Sequence, residues 1–309
     1  MKLRSVQVLR GIAACAVVFH HAYGVDHAQI DVSRLGAAGV DLFFVISGFI
    51  MATVAADRQP LAFLRERAWR IYPMWLVALG PWLVLRKPDL IAVVANVTLW
   101  PIYGNAFHVP ELHVGWTLSF EMLFYFAFAL GLATRPVVPL LGLLACAVIP
   151  NGGNAVLGFL GSPLIVEFLL GMIIARLPRH ERAGCIAILM GVAWFAFAPT
   201  DYFATRMGAA AWLRVLYWGI PAALFVYGAV ALEPHFRSKH YDLPVFLGNA
   251  SYSIYLFHMM VRLNHSWIES AVAAIVLGCV AYWLLERPLL RLGKSITFAS
   301  REVKLSHAT

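Results

Sequence analysis

Four groups of polar and ionisable residues interrupt an otherwise apolar chain, and each contains residue types that can do chemistry. The first is Arg10 with His20 and His21 in RGIAACAVVFHH. Arg10 and His21 stand eleven positions apart. On a helix that is almost three turns, so both side chains share one face, about 16 Å apart along the axis. The second group is Asp41 in GVDLFFVISGF, where Ser47, Gly36, Gly39 and Gly48 permit close helix approach. The third is GWTLSFE, with Trp116, Ser119 and Glu121, and the fourth is SYSIYLFH, ending at His258. Ionisable groups in an apolar chain of this kind are functional candidates. A carboxylate beside an imidazole can orient the ring and tune its charge, which makes the pair a general base. A separate basic run, FLRERAWRIYP, carries Arg65, Arg67 and Arg70. Guanidinium groups contact phosphate bidentately, so this run suits a phosphorylated ligand.

Several of these residues also have plainer readings. His20 reads as a helix-packing histidine. Asp41 is either a helix N-terminal charge or the partner of an arginine. His258 fits a Tyr- and Ser-lined packing site as well as a catalytic one. The three arginines double as topology anchors. Glu286 with Arg287 reads as a helix-end ion pair at the cytoplasmic surface.

The elements that position these groups follow from composition. Of 309 residues, 61% are hydrophobic and 13% charged, against roughly 25% charged in soluble domains. One soluble core could not hide so much apolar surface, but a bilayer removes the problem, at about 20 apolar residues per crossing helix. The expected fold is an all-α integral membrane protein, a bundle of about ten transmembrane helices. The apolar stretches are 6–24, 36–56, 70–86, 114–132, 137–150, 163–177, 184–199, 210–232, 244–262 and 267–288. Two of them, 137–150 and 184–199, are short and call for tilt or bilayer thinning. Segment 89–103 holds Asn96 and Pro101 and reads as interfacial or re-entrant. Residues 1–292 form one transmembrane domain and 293–309 a cytoplasmic tail.

With the N-terminus inside, about three-quarters of the 24 Lys and Arg residues fall on the cytoplasmic side, a strong positive-inside bias. Both termini are then cytoplasmic. Arg10, Arg67 and Arg70 lie toward the cytoplasm, and His21, Asp41, Glu121 and His258 fall at similar depth in the outer half. A base on one side and a phosphate grip on the other fit a long thin molecule with a charged head and a reactive tip, such as the phosphopantetheine arm of an acyl-CoA. Lys2 and Arg4 precede an apolar run, as in a signal peptide. That run contains Arg10, His20 and His21 with no clear A-x-A site, so it is read as a retained first helix.

The net charge of +8 forms no single stripe, which argues against a nucleic-acid partner. Cys15, Cys146, Cys185 and Cys279 have no CxxC spacing, so neither a metal site nor a disulfide framework is expected. Two other classes need many helices. A transporter often shows internal repeats, and none is evident here. A non-catalytic subunit of polysaccharide assembly would not need His21 and Glu121 at matched depth.

Taken together, these motifs resemble the acyltransferase-3 family of bacterial membrane acyltransferases, over roughly residues 4–292. The arginine, ten residues and a histidine of its first motif are matched by Arg10 and His21, and its R-x-x-R pair by Arg67 and Arg70. GVDLFFVISGFIM, GWTLSFEMLFY, SYSIYLFH and LLERPL are also similar to it. The short chain looks most like the exopolysaccharide-production branch. The resemblance implies a multi-pass protein of the bacterial inner membrane, with cytoplasmic acetyl-CoA as acyl donor. The implied acceptor is a hydroxyl of a polysaccharide or lipid-linked oligosaccharide on the outer side. It implies His21 as base or transient acyl carrier, Glu121 as the group that orients it, and Arg10, Arg67 and Arg70 against the donor. Asp41, Ser119, Trp116, His258 and His20 stand as substrate or support residues. The family typically carries two acidic or amide residues in the fourth helix, whereas Phe120 precedes the single Glu121 here.

Overall fold

The computed structural model describes residues 3–26, 36–54, 58–134, 138–148, 153–198, 209–261 and 266–293. Lys2, and the expected tail beyond Gly293, lie outside the described residues. The chain is a helical bundle. Helix α1 (Arg4–Asp26) is followed by α2 (Gly39–Val54), α3 (Pro60–Arg86) and α4 (Leu90–Thr98). A two-residue ribbon, β1 (Ile102–Tyr103) with β2 (Ala106–Phe107), pairs Ile102 with Phe107. Then come α5 (Gly115–Ala133), α6 (Val138–Val148), α7 (Ala155–Leu160), α8 (Ile165–Ile174) and α9 (Glu181–Ala196). Helices α10 (Ala209–Arg214) and α11 (Ile220–Ala231) are joined through a π-helical turn, Val215–Gly219. The last two are α12 (Asp242–Phe257) and α13 (Trp267–Ala281), the latter continued by a second π turn, Tyr282–Glu286.

Six helical stretches among the described residues are long and apolar enough to cross a membrane: Arg4–Tyr23, Gly36–Val54, Gly115–Ala133, Ala155–Ile174, Ala211–Ala231 and Trp267–Gly293. Apolar side chains face outward on them. On the last, Ile268, Val272, Val276, Val280 and Leu284 form an exposed stripe at every fourth position, the pattern of a lipid-facing helix side. Of the other expected spans, 137–150, 184–199 and 244–262 correspond to the shorter α6, α9 and α12. Span 70–86 corresponds to α3, which is 27 residues long and charged in its first half. This helix starts ten residues earlier than expected, so Arg65 and Arg67 lie on it together with Arg70. Pro60 explains the early start, because a proline in the first turn loses no hydrogen bond and has its φ preset.

Segment 89–103 does not form a full crossing helix. Asp89 caps α4 by accepting from Ala92 N at 2.7 Å, and Leu99 ends it in the left-handed region at φ 59°. Its nine residues cover about 13 Å, under half of a hydrocarbon core.

Helix α1 packs against α12, α2 and α13, and α2 packs against α8. Small residues make these approaches possible. A Cβ on Gly11 would stand 2.9 Å from the Pro244 carbonyl, and one on Gly248 would overlap the Gln7 carbonyl. The expected role of Gly39 is met in the same way, against Ala13 on α1. In lipid, where no hydrophobic force pulls helices together, such close backbone contact supplies dispersion.

Candidate active site

Two cavities lie end to end along α1. The first, of about 120 Å³, is lined by Arg10, Arg67, Arg70, Ser47, Glu121 and Tyr125 among others. The second, of about 70 Å³, is lined by His20, His21, His113, Trp116, Arg214 and Tyr255 among others. Val40 and Tyr255 line both, so the two chambers abut there. The eleven-residue spacing of Arg10 and His21 thus places one side chain in each chamber.

The first chamber is an arginine cluster with unused donors. Arg67 stacks over Phe63 and Tyr125, its guanidinium 5.4 and 5.7 Å from the ring centres, and its buried Nε has no hydrogen-bond partner. Arg10 is half-buried and reaches the same space. Arg70 lies over Tyr252 at 5.5 Å and pairs with Glu286 at 2.5 Å. Three guanidinium groups face two carboxylates, Glu121 and Glu286, leaving a formal excess of positive charge. This donor set fits a phosphorylated ligand, for which an unsatisfied guanidinium N–H is a waiting contact.

Glu286 corrects an expectation. It is 1% exposed and bonds Arg70 and, through Oε2, the hydroxyl of Ser253 at 2.6 Å. Arg287 is exposed. The surface pair Glu286–Arg287 is therefore absent. The π turn Tyr282–Glu286 widens the helix by one residue at this point, and Glu286 ends on the buried side.

Glu121 corrects another. It accepts hydrogen bonds from Ser47 Oγ at 3.2 Å and from the Tyr125 hydroxyl. Both partners belong to the arginine chamber, so Glu121 is not the group that orients His21. A position in the outer half, level with His21, requires α5 to begin at the outer surface. Helix α5 begins inside the fold, however: Leu112 and Val114, just before it, are 0% and 1% exposed. Val114 already lines the histidine chamber. Glu121, seven positions further along, lies about 10 Å deeper.

In the histidine chamber, His21 Nδ1 lies 3.0 Å from the Val17 carbonyl and 3.2 Å from His258 Nε2. His258 Nδ1 lies 2.8 Å from the Tyr255 carbonyl, and His258 is 4% exposed. His20 packs edge-on to His21, with centres 4.9 Å apart, and lines the chamber. Asp41 is the partner of an arginine. Its two oxygens accept from Nε and Nη2 of Arg214, each at 2.8 Å, and both residues are 0% exposed. Glu167 is also fully buried, and neither of its carboxyl oxygens has a hydrogen-bond partner. Trp116 lies over the Arg214 guanidinium at 5.5 Å and walls the chamber. Ser119 lines neither chamber, and its buried hydroxyl has no partner.

Sequence reasoning missed Arg214, Tyr255 and Tyr125. Arg214 carried a signal: an arginine inside the apolar run AAAWLRVLYWGI needs a buried counter-charge. Tyr255 carried none. Its hydroxyl bonds Thr117 Oγ1 at 2.9 Å and the Val114 carbonyl at 3.1 Å, which fixes the ring at the boundary of the two chambers. Among the described residues, no group of three or more His, Cys, Asp or Glu side chains is placed to hold a metal ion.

Comparison with known proteins agrees with this picture. The acyltransferase-3 profile, described as an acyltransferase domain, matches residues 3–287. The exopolysaccharide production protein ExoZ of Rhizobium meliloti (strain 1021) is 33% identical, over 90% of this chain and 96% of its own length. Acyltransferase MdmB of Streptomyces mycarofaciens is 25% identical over 94% of this chain and 92% of its own. O-acetyltransferase OatA of Staphylococcus aureus (strain NCTC 8325 / PS 47) is 24% identical over 95% of this chain but only 59% of its own length. No solved structure matches the chain.

Proposed function

The chain belongs to the acyltransferase-3 family, and from that membership we propose that it transfers an acetyl group from cytoplasmic acetyl-CoA to a sugar hydroxyl outside the inner membrane. The acceptor is a surface polysaccharide or its lipid-linked precursor, as the name of the rhizobial relative suggests. The observation that carries the reading is the pair of abutting chambers, arginines in one and histidines in the other, strung along α1.

In this reading the protein has about ten spans, with α3, α6, α9 and α12 completing the six apolar crossings, and both termini lie in the cytoplasm. The arginine chamber opens toward the cytoplasm. Arg10, Arg67 and Arg70 hold the phosphates of coenzyme A. Its thioester supplies an activated acyl carbon at the end of a narrow arm. The arm reaches past Val40 and Tyr255 into the histidine chamber, where His21 takes the proton of the acceptor hydroxyl. Glu121 works at the donor end. Held by Ser47 and Tyr125, it fixes the arginine cluster and keeps the chamber from trapping its anion too tightly. The transfer itself is an alcohol attack on a thioester, a step that general-base help accelerates by roughly 10²–10⁴-fold.

The test is a host strain carrying His21→Ala. Polysaccharide O-acetyl content, measured by NMR, is expected to fall to background while the protein remains at normal level in the membrane. Unchanged acetylation would sink the assignment. For the donor end, Arg67→Ala is expected to weaken acetyl-CoA binding to purified protein, and unaltered binding would remove the cofactor reading. Cysteine labelling that finds position 60 outside the cell would overturn the orientation.

A further inference from the structure

We propose that His258 is a positioning residue that holds His21 with Nε2 unprotonated and shares the positive charge His21 acquires when it takes up a proton. The inference rests on His21 being the base of the transfer reaction.

A backbone carbonyl can only accept a hydrogen bond. The Tyr255 carbonyl lies 2.8 Å from His258 Nδ1, so that nitrogen carries a proton. In a neutral ring, Nε2 is then a lone pair, and it lies 3.2 Å from His21 Nδ1. The Val17 carbonyl, one turn back on α1, lies 3.0 Å from the same His21 Nδ1. Both neighbours of His21 Nδ1 are acceptors, so Nδ1 is the N–H. The basic lone pair of His21 is therefore on Nε2. Two carbonyls, on α1 and α12, lead independently to one tautomer.

His258 thus occupies the place a carboxylate takes in a Ser-His-Asp triad. The surroundings explain why it matters. The charged and titratable groups around His21 are His20, His113, His258, Tyr255 and Arg214. Asp41 is engaged with Arg214, and Glu121 belongs to the other chamber. Among the described residues no carboxylate reaches His21, so the positive charge it acquires spreads into a second imidazole. The proton balance closes. The acceptor O–H bond breaks, its proton goes to His21 Nε2, and the oxygen's electron pair forms the new C–O bond. The Nδ1 proton of His21 is shared with His258 Nε2. The C–S bond then breaks, the coenzyme A thiolate leaves and takes the Nε2 proton, and both rings return to their starting tautomers.

Three proteins test this, each full-length in lipid nanodiscs: wild type, His258→Phe and His258→Gln. Phenylalanine keeps the ring shape and loses the acceptor, whereas glutamine keeps an acceptor. With radiolabelled acetyl-CoA and glycolipid extracted from the host membrane, His258→Phe is expected to lower kcat roughly 10- to 100-fold, the range of one hydrogen bond to a charged group. KM for acetyl-CoA should stay within about twofold, since the donor site is elsewhere. Glutamine should recover most of the loss. Nitrogen-15 solid-state NMR of wild type should show Nδ1–H on His21, and the two tautomers should mix in His258→Phe. Wild-type kcat in His258→Phe, equal damage by both substitutions, or Nε2–H on His21 in wild type would each overturn the inference. An active His21→Ala protein would instead remove the base assignment, so the two failures are distinguishable.

Discussion

The buried pair Asp41–Arg214 gives the most direct quantitative expectation. Both side chains are 0% exposed and bond in a bidentate fork, at 2.8 Å on each arm. At an effective dielectric constant near 20, two unit charges about 4 Å apart attract by about 4 kcal/mol. Asp41→Asn removes the charge with little change in shape and leaves Arg214 uncompensated. The expected loss is about 3–5 kcal/mol, the range for breaking a buried pair by removing one partner. Arg214→Met should cost a similar amount, because it leaves the Asp41 carboxylate buried without its counter-charge. The double substitution Asp41→Asn with Arg214→Met removes both charges and should recover part of the loss. Denaturant unfolding of the purified protein in mixed micelles, followed by tryptophan emission, measures all four corners of the cycle. A coupling of about 2 kcal/mol or more is expected for groups in contact. Strict additivity, or a cost under about 1 kcal/mol for Asp41→Asn, would refute the view of Asp41 as the counter-charge of the histidine chamber's wall.

Other outcomes follow from the same geometry. Gly248→Ala should destabilise strongly, by about 1–3 kcal/mol or more, because the added methyl meets the Gln7 carbonyl on α1. Gly80→Ala, where nothing stands within 4 Å, should instead stabilise α3 by about 0.5–1 kcal/mol; the same unfolding assay separates the two. Glu286→Ala frees Arg70 from its anchor and leaves Ser253 unpaired. It should raise KM for acetyl-CoA more than it lowers kcat, measured by steady-state kinetics. Tyr255→Phe removes the hydroxyl bonded to Thr117 and Val114. A stability loss of about 1 kcal/mol is expected, with faster hydrolysis of acetyl-CoA in the absence of acceptor, read as thiol release.

Composition and motif spacing made the helical membrane character and the family legible, because lipid imposes length and apolarity on each crossing segment and leaves every buried charge conspicuous. Arg10 and His21 were legible as a pair because a helix repeats every 3.6 residues, and nothing beyond α1 is needed to align them. Asp41 is legible in the sequence only as a helix N-terminal charge or the partner of some arginine, since Arg214 is 173 positions away. Glu121 was misplaced because its depth depends on where α5 begins within the bundle, and hydropathy cannot see that Leu112 and Val114 are already buried. Glu286 was misread because one π turn resets the helix face, and no local propensity marks that turn.

The sequence by itself determined the solvent this protein lives in, its helical architecture, its family, and the residue types available for chemistry. Those are properties of composition and of local periodicity. Only the tertiary structure decided partnership: His21 with His258, Arg70 with Glu286, Asp41 with Arg214, Glu121 with Ser47. Each pair joins different helices, and its members meet through the rotation and depth of those helices in the bundle. That is a balance of close contacts such as Gly11 and Gly248 between α1 and α12, which the order of residues along the chain does not display.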